Sequence, residues 1–324
     1  MSRLVRCAPD NGARLSRRSL LRAVVRVAPL AGAASLCTPL LAPLTVRAQP
    51  TALDITTTDV NGLVLLRGAG CNVLAMRGDD GALMVDGGLA ENADALLRAV
   101  YAATGNDRIH TLINTHWHPE QTGANEAVGR AGGVIFAHEK MQMFLSNRVQ
   151  SALFEGRLEP LPEAARPNRV TRSDGSLEFS GRRIDYGYLP AAHTDGDLYV
   201  HFPDANVLAA GGVVSGDRWP LLDWRAGAWY GGRVRALQWL AELVRPDTQV
   251  VPSDGPILTG RDIVRQRDIY LELFQTLIDY LNMGMGIEDT VARNPLARYA
   301  DEFGDASAFL DGAYRSMLIA YVPE

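Results

Sequence analysis

Residues 114–123 read NTHWHPEQTG, and this stretch decides which fold the chain is expected to adopt. It places His116 and His118 two positions apart, with Glu120 a further two positions on. Side chains at i and i+2 of a strand or loop leave the same face, so both imidazoles can reach one metal ion. A largely apolar run precedes the stretch at 109–113, and a helix-compatible run follows at 123–128. A strand that ends in a ligand-bearing loop before a helix suits a metal site in an α/β protein.

A third histidine, His193, lies in the small-residue loop LPAAHTDGD at 189–197, between two predicted strands. His110, His138 and His201 lie in apolar strands or at a helix start, where a structural role is expected. Three histidines from two loops would leave a fourth position for water, which is the arrangement of a catalytic zinc ion. Such an ion lowers the pKa of its water to about 7 and makes a nucleophile available for hydrolysis.

The first 48 residues are predicted to be a twin-arginine signal peptide. SRRSLLR at 16–22 is a twin-arginine pattern, an apolar run extends to about residue 46, and VRA at 46–48 offers a cleavage site. The apolar run is interrupted by one arginine and three prolines, so it lacks the roughly 18–20 unbroken residues that span a membrane. We expect a folded protein exported to the periplasm or secreted, with residues 49–324 as one domain and no integral membrane segment after signal removal.

The composition of the mature chain limits the kinds of partner that it is expected to bind. Removal of eight arginines and one aspartate with the signal leaves 24 basic and 36 acidic side chains, a formal charge of −12. Such a surface argues against nucleic acid and against an anionic membrane. Cys7 and Cys37 lie in the signal, so Cys71 alone remains, without a partner for a disulfide or a cysteine-based zinc cluster. Lys140 is the only lysine, and no phosphate-binding Gly-rich loop is present. A small-molecule substrate is the expected partner.

Two groups of short strands, each followed by helices, are predicted from the apolar pattern. The first group comprises 63–67, 72–77, 82–86, 109–114 and 134–137, with helices at 91–103 and 138–149. The second comprises 176–180, 183–188, 197–202, 206–210 and 248–252, with helices at 234–244 and 260–281. Residues 150–175 are expected to form an irregular flap over a site, and 284–324 two further short helices. The pattern predicts two sheets covered by helices.

These motifs together resemble the metallo-β-lactamase superfamily. The run from His116 to Gln121 is similar to the family's His-x-His-x-Asp-His signature. The resemblance spans about 60–280 and implies an α/β (α+β) protein, a four-layer αββα sandwich with its metal site at the sheet edges. It also makes about 284–324 a C-terminal helical extension. Five further segments follow the family's order: MVDGG at 84–88, AHTDGD at 192–197, VLAAGG at 207–212, WPLLD at 219–223 and VPSDGP at 251–256.

The resemblance maps the three ligands of the family's first metal ion onto His116, His118 and His193. The family's second ion takes an aspartate and two further histidines, and another aspartate bridges both ions. None of those four residues is retained, and Asp217 is an alternative for the bridge if the preceding strand runs longer. The four positions read Glu120, Gln121, Asp254 and, at the bridge, Gly212.

The resemblance therefore implies a mononuclear zinc hydrolase that acts on an ester, lactone, thioester or amide, β-lactams included, through a zinc-bound hydroxide. Glu120 is the expected general base, and Asp86 the expected hydrogen-bond acceptor that orients a ligand histidine. A second, harder cation beside the zinc is an alternative, held by the oxygens of Glu120, Gln121 and Asp254. The other alternative is a pseudoenzyme, or a periplasmic binding or accessory protein on the same fold. Fold alone does not select the substrate.

Overall fold

The structure, a computed structural model, describes residues 54–321. The predicted signal peptide and its cleavage site lie outside the described residues. Within 54–321, no helix combines the length and the apolar character needed to cross a membrane.

The first half of the described chain contains β1 (Thr56–Val60), β2 (Leu63–Arg67), β3 (Val73–Met76), β4 (Ala82–Val85), α1 (Ala93–Thr104), β5 (Ile109–Ile113), α2 (Pro119–Thr122), α3 (Asn125–Arg130), β6 (Val134–His138), α4 (Glu139–Ser146), β7 (Val149–Gln150), β8 (Arg157–Leu158) and β9 (Arg169–Thr171).

The second half carries the other sheet and most of the long helices. Short 3₁₀ turns at Ala90–Asn92, Glu163–Ala165, Trp224–Ala226 and Ala297–Tyr299 complete the described secondary structure. The elements are β10 (Gly175–Phe179), β11 (Arg182–Leu189), β12 (Asp197–Phe202), β13 (Val207–Gly211), α5 (Tyr230–Leu243), β14 (Gln249–Pro252), β15 (Leu258–Thr259), α6 (Gly260–Asn282), α7 (Ile287–Arg293), α8 (Ala300–Phe303) and α9 (Ser307–Tyr321).

Two mixed sheets form the centre of the fold. One has seven strands in the order β1-β2-β3-β4-β5-β6-β9, and the other has six in the order β10 to β15. Strands β4, β5, β6 and β9 run parallel, as do β13 and β14. Parallel neighbours need crossover connections, which explains the helices that follow β4, β5 and β13. A small separate hairpin joins β7 and β8.

Four layers follow from the alternation of buried residues along the strands. Leu83 packs between the sheets, whereas Met84 packs on the outer side with residues of α1. Val207 likewise faces the other sheet, and its neighbour Leu208 faces the helical layer that contains α5, α6 and α9. Successive side chains of a strand point to opposite faces, so each sheet is buried on both sides. The predicted αββα sandwich is confirmed.

Two segments differ from the sequence-based expectation. Residues 150–175 were expected to be irregular, but they include β8, a 3₁₀ turn and β9, which extends the first sheet by pairing with β6. Strand β9 has an exposed side chain at Val170, so it carries no apolar alternation that sequence could reveal. Beyond residue 284, three helices rather than two are present, and α9 is 15 residues long. Phe309 of α9 stacks on Trp219 at 5.4 Å between ring centroids.

Candidate metal centre

The three histidines of the predicted site lie together at one edge of the sandwich. His116 and His118 follow the end of β5, and His193 lies in the loop between β11 and β12. All three are buried, and their nearest ligand atoms lie within 4.8 Å of one another. In the described part of the chain, this is the one group of three or more His, Cys, Asp or Glu side chains placed to hold an ion. The location matches the rule that sites form beyond the carboxyl ends of parallel strands.

Two of these imidazoles are oriented by hydrogen-bond acceptors that contact their outer nitrogens, the ones that point away from the other histidines. Nε2 of His118 donates to Oδ2 of Asp223 at 3.1 Å. Nδ1 of His193 donates to the carbonyl oxygen of Leu221 at 2.9 Å. These bonds fix the tautomers, leaving Nδ1 of His118 and Nε2 of His193 unprotonated and facing each other. Metal-binding histidines commonly have such outer partners.

The distance between the inner nitrogens fits a zinc ion. Nδ1 of His118 and Nε2 of His193 are 3.3 Å apart. Two nitrogens that each lie about 2.0–2.1 Å from a tetrahedral zinc ion are separated by about 3.3–3.4 Å. Burial and the neighbouring histidines hold the pKa of His116 well below its usual range, and burial, His118 and Arg233 do the same for His193. Both rings are therefore neutral near pH 7, which is the form that binds a metal ion.

The third imidazole, that of His116, is connected by hydrogen bonds to Asp86 through the side chain of Thr115. Oγ1 of Thr115 lies 3.0 Å from Nδ1 of His116 and donates to Oδ2 of Asp86 at 2.8 Å. The backbone N–H of Thr115 also donates to Asp86, at 2.7 Å. Asp86 thus acts on His116 through Thr115 rather than by direct contact. Its backbone has a left-handed φ of 64°, and burial raises the pKa of its carboxyl group to about 7.

Asp223 is a site residue that the sequence analysis quoted but did not assign. Its side chain has no exposed surface, and it accepts hydrogen bonds from Ser151 Oγ at 2.6 Å and from the backbone N–H of Ala152 at 2.7 Å. Burial alone would raise its pKa, but these bonds and the one from His118 together lower it below the usual range. The same carboxylate therefore orients His118 and anchors the segment that leads to Phe154, whose ring lies 5.3 Å from that of His118. The sequence signal that could have pointed to Asp223 is its position directly after the apolar run WPLL at 219–222.

A cavity of about 330 Å³ opens above the histidines. Glu120 lines it and is half-buried, and its carboxylate makes no hydrogen bond or ion pair with any other described residue. Gln121 also lines it, with Oε1 buried and without a partner among the described residues. The remaining walls are largely apolar: Leu153, Phe154, Val214, Trp219, Pro220 and Leu221. One half of the cavity is thus polar, and the other half suits an apolar group.

The structure places Gly212, not Asp217, against the histidines. A Cβ atom on Gly212 would lie 2.1 Å from Cδ2 of His193, so no side chain fits there without moving that ring. The side chain of Asp217 is 58% exposed and does not line the cavity. The predicted alternative of a bridging Asp217 therefore has no support in the geometry.

The other positions of the family's second ion are also occupied differently. Asp254 lines the cavity, but its Oδ2 lies 3.2 Å from Nη2 of Arg218 in an ion pair. Glu120 and Asp254 do not join any group of three His, Cys, Asp or Glu side chains close enough to hold an ion, within residues 54–321. The harder cation on the oxygens of Glu120, Gln121 and Asp254 stays a prediction: all three line the cavity, and Asp254 is paired with Arg218.

Comparison with known proteins agrees with this geometry. The sequence profile of the metallo-beta-lactamase superfamily matches residues 66–255. No curated protein sequence matches significantly. Among solved structures, a metallo-beta-lactamase from Pontibacter korlensis is 20% identical, covering 67% of this chain and 93% of its own, with a TM-score of 0.51. The DIM-1 metallo-beta-lactamase is 15% identical, covering 68% and 98%, with a TM-score of 0.55. The sec-alkylsulfatase Pisa1 from Pseudomonas sp. is 17% identical, covering 83% and 51%, with a TM-score of 0.63.

Proposed function

The chain belongs to the metallo-β-lactamase superfamily, and from this premise we propose that it is a one-zinc hydrolase of a small ester, lactone, thioester or amide, β-lactams included. The observation that carries the proposal is the group of three buried imidazoles, two of which have nitrogens 3.3 Å apart, the spacing of zinc ligands. Nitrogen ligands with an open fourth position are typical of catalytic zinc. When bound, such an ion would polarise a substrate carbonyl and lower the pKa of a water molecule.

The residues around the histidines supply the remaining functions. Glu120, which lines the cavity, would accept a proton from the attacking water as the water oxygen bonds to the substrate carbonyl carbon. It would then deliver that proton to the leaving group as the bond to that group breaks. Asp223 and the carbonyl oxygen of Leu221 keep two imidazoles in the ligand tautomer. Phe154 and Trp219 exclude water from one side and offer an apolar surface to the acyl or alkyl part of a substrate.

The charge distribution in the cavity favours a substrate that is not a polyanion. Arg218 is the only lysine or arginine that lines it, and it is already paired with Asp254. Glu120 adds a second carboxylate to the same wall. Phosphodiester hydrolysis usually uses two metal ions, and the described residues assemble a ligand group for one. A neutral carbonyl compound fits both facts better.

The decisive experiment measures metal content and turnover on the same mature protein. We expect about one zinc ion per chain, and hydrolysis of at least one member of a panel of chromogenic β-lactam, aryl ester, lactone and thioester. His118→Ala should abolish both properties. His201→Ala, a histidine outside the site, should leave both unchanged. Glu120→Gln should keep the zinc and lower kcat by roughly 10²- to 10⁴-fold. A protein that binds no metal would refute the proposal.

A binding or accessory role is the second candidate, and the altered positions at Gly212 and Asp254 favour it. A protein with one zinc ion and no turnover on the panel, but with saturable binding of a substrate analogue at the same histidines, would support that role. Phe154→Ala should then weaken analogue binding without changing zinc content.

We further propose export through the twin-arginine pathway, on the pattern at 16–22. Replacement of Arg17 and Arg18 by lysine should retain the full-length chain in the cytoplasm. Fractionation of cells that express each form, with detection of the cleaved protein, tests this. Unchanged export of the double variant would contradict it.

A further inference from the structure

Arg218 holds the carboxylate that would otherwise be available to a second metal ion. Its Nη2 lies 3.2 Å from Oδ2 of Asp254, and its Nε lies 3.5 Å from Oδ1 of Asp217. Asp254 stands where the family resemblance places the last ligand of the second ion. An ion that took Oδ2 of Asp254 would have to displace this guanidinium group. The guanidinium group therefore adds a positive charge to the wall of the cavity.

The backbone that carries Arg218 is anchored to the adjacent helix. Ser215 Oγ donates to the carbonyl oxygen of Arg218. Ser215 in turn exchanges two hydrogen bonds with Gln266 of α6, one through each of its backbone polar groups. Because Gln266 is buried, the segment 215–218 has a defined position even though the guanidinium group itself is largely exposed.

A second guanidinium group lies beneath the site. Arg233 of α5 is fully buried, and its Nη2 donates to the carbonyl oxygen of Gly212 at 3.0 Å. Its Nε and Nη1 have no partner among the described residues, and it forms no ion pair with a carboxylate in that part of the chain. Its charge also acts on His193, a ligand of the first ion, and lowers the pKa of that ring, so Arg233 does not distinguish a second ion from the first. Of the two guanidinium groups, Arg218 is the one that lines the cavity.

We propose that Arg218 takes the place of the second metal ion, so that the centre accepts one ion and uses the guanidinium group as its other positive charge. A guanidinium group is always protonated and stabilises developing negative charge on a substrate oxygen by directed hydrogen bonds. During ester hydrolysis that charge develops on the former carbonyl oxygen and then on the leaving oxygen. Arg218 faces the same cavity as Glu120 and the three histidines. The role of Arg218 in stabilising negative charge on a substrate rests on the proposed hydrolase function; the exclusion of a second metal ion does not.

The test counts zinc ions in four forms of the mature protein: the native chain, Arg218→Ala, Arg218→Lys and the control Arg261→Ala, whose arginine is exposed on α6. Metal-free protein is titrated with zinc in a calorimeter, and bound zinc is counted by mass spectrometry after dialysis. The native protein and the control should bind one ion. Arg218→Ala should bind a second, weaker ion, because the carboxylate of Asp254 is then released to the cavity that Glu120 and Gln121 also line. Since Arg218 is 63% exposed, its replacement should leave folding intact.

The outcomes separate this proposal from the proposed function. Two zinc ions in the native protein, or one ion in Arg218→Ala, would overturn the exclusion of a second metal by Arg218. No zinc in any form would refute the one-zinc centre itself. On a substrate that the native protein hydrolyses, Arg218→Ala should lower kcat by on the order of tenfold to a hundredfold, and Arg218→Lys should recover part of the loss. An unchanged kcat in Arg218→Ala would overturn the charge role.

Discussion

Replacement of Asp223 by asparagine should place the proton of His118 on the wrong nitrogen. The native carboxylate accepts three hydrogen bonds, from His118, Ser151 and Ala152. The backbone N–H of Ala152 can only donate, so the amide oxygen of the variant must remain opposite it. The amide NH₂ group then faces His118 and Ser151, and it can only donate. Nε2 of His118 must become the acceptor, which moves the ring proton to Nδ1, the nitrogen that faces His193.

The size of the effect follows from this change of tautomer. Loss of an outer partner of a metal-binding histidine costs about 10- to 100-fold in metal affinity, or about 1.4–2.7 kcal/mol. The metal-free variant should lose about 1–3 kcal/mol of stability, since Ser151 can rotate to accept from the amide but its own buried hydroxyl hydrogen then loses its acceptor. Asp223→Ala, by contrast, leaves three donors unpaired and should cost about 1–3 kcal/mol for each one that stays dry.

Zinc affinity is measured by calorimetric competition with a chelator, and stability by denaturant unfolding of the metal-free proteins. Asp247→Asn is a matched control, because Asp247 is 75% exposed and pairs only with Arg245 at 3.6 Å. The control should keep the native affinity. A folded Asp223→Asn protein with native zinc affinity would show that the Asp223 hydrogen bond does not determine the tautomer of His118.

Three further predictions concern the stability of the protein and its affinity for zinc. Burial raises the pKa of Asp86 from 3.8 to about 7. The contribution of Asp86 to stability is therefore complete below pH 4 and is lost as pH rises through 7. In denaturant titrations between these pH values, the difference in unfolding free energy between the native and Asp86→Asn metal-free proteins should fall. Gly212→Ala should displace the His193 ring and lower zinc affinity at least tenfold. Gly286→Ala should not, because its Cβ would meet only Oδ2 of Asp289, at an ordinary contact distance of 3.8 Å. Equal calorimetric affinities of the two variants would contradict this. Zinc at 100 times its Kd should stabilise the protein by about 2.7 kcal/mol, or roughly 5–10 °C in Tm, and calorimetric scans of His118→Ala should show no such shift.

The fold and the histidine group could be predicted because their signals are local. His116 and His118 reveal their common direction through a spacing of two residues, and the loop around His193 consists of small residues between two clear strands. Helix α1 shows its buried face in the spacing of Leu96, Leu97 and Val100. The order of these motifs was sufficient for the αββα sandwich.

The partners that orient the histidines could not be predicted, since they are distant in sequence. Asp223 is 105 positions from His118, and no local pattern shows that its carboxylate is buried. The identity of Gly212 showed that it cannot ligate through a side chain, but only the coordinates show how closely it approaches His193. The ion pair of Arg218 with Asp254 likewise depends on two turns that meet in space. Contacts of this kind are set by tertiary packing.

Trp219 connects the C-terminal helices to the wall of the cavity. The superfamily profile ends at residue 255, yet Phe303 and Phe309 from beyond it pack against the indole ring that lines the cavity. A substitution in α9 can therefore tilt a wall of the cavity without touching either the ligand or the histidines. Residues of the C-terminal helices thus take part in the shape of the cavity although they lie outside the superfamily profile.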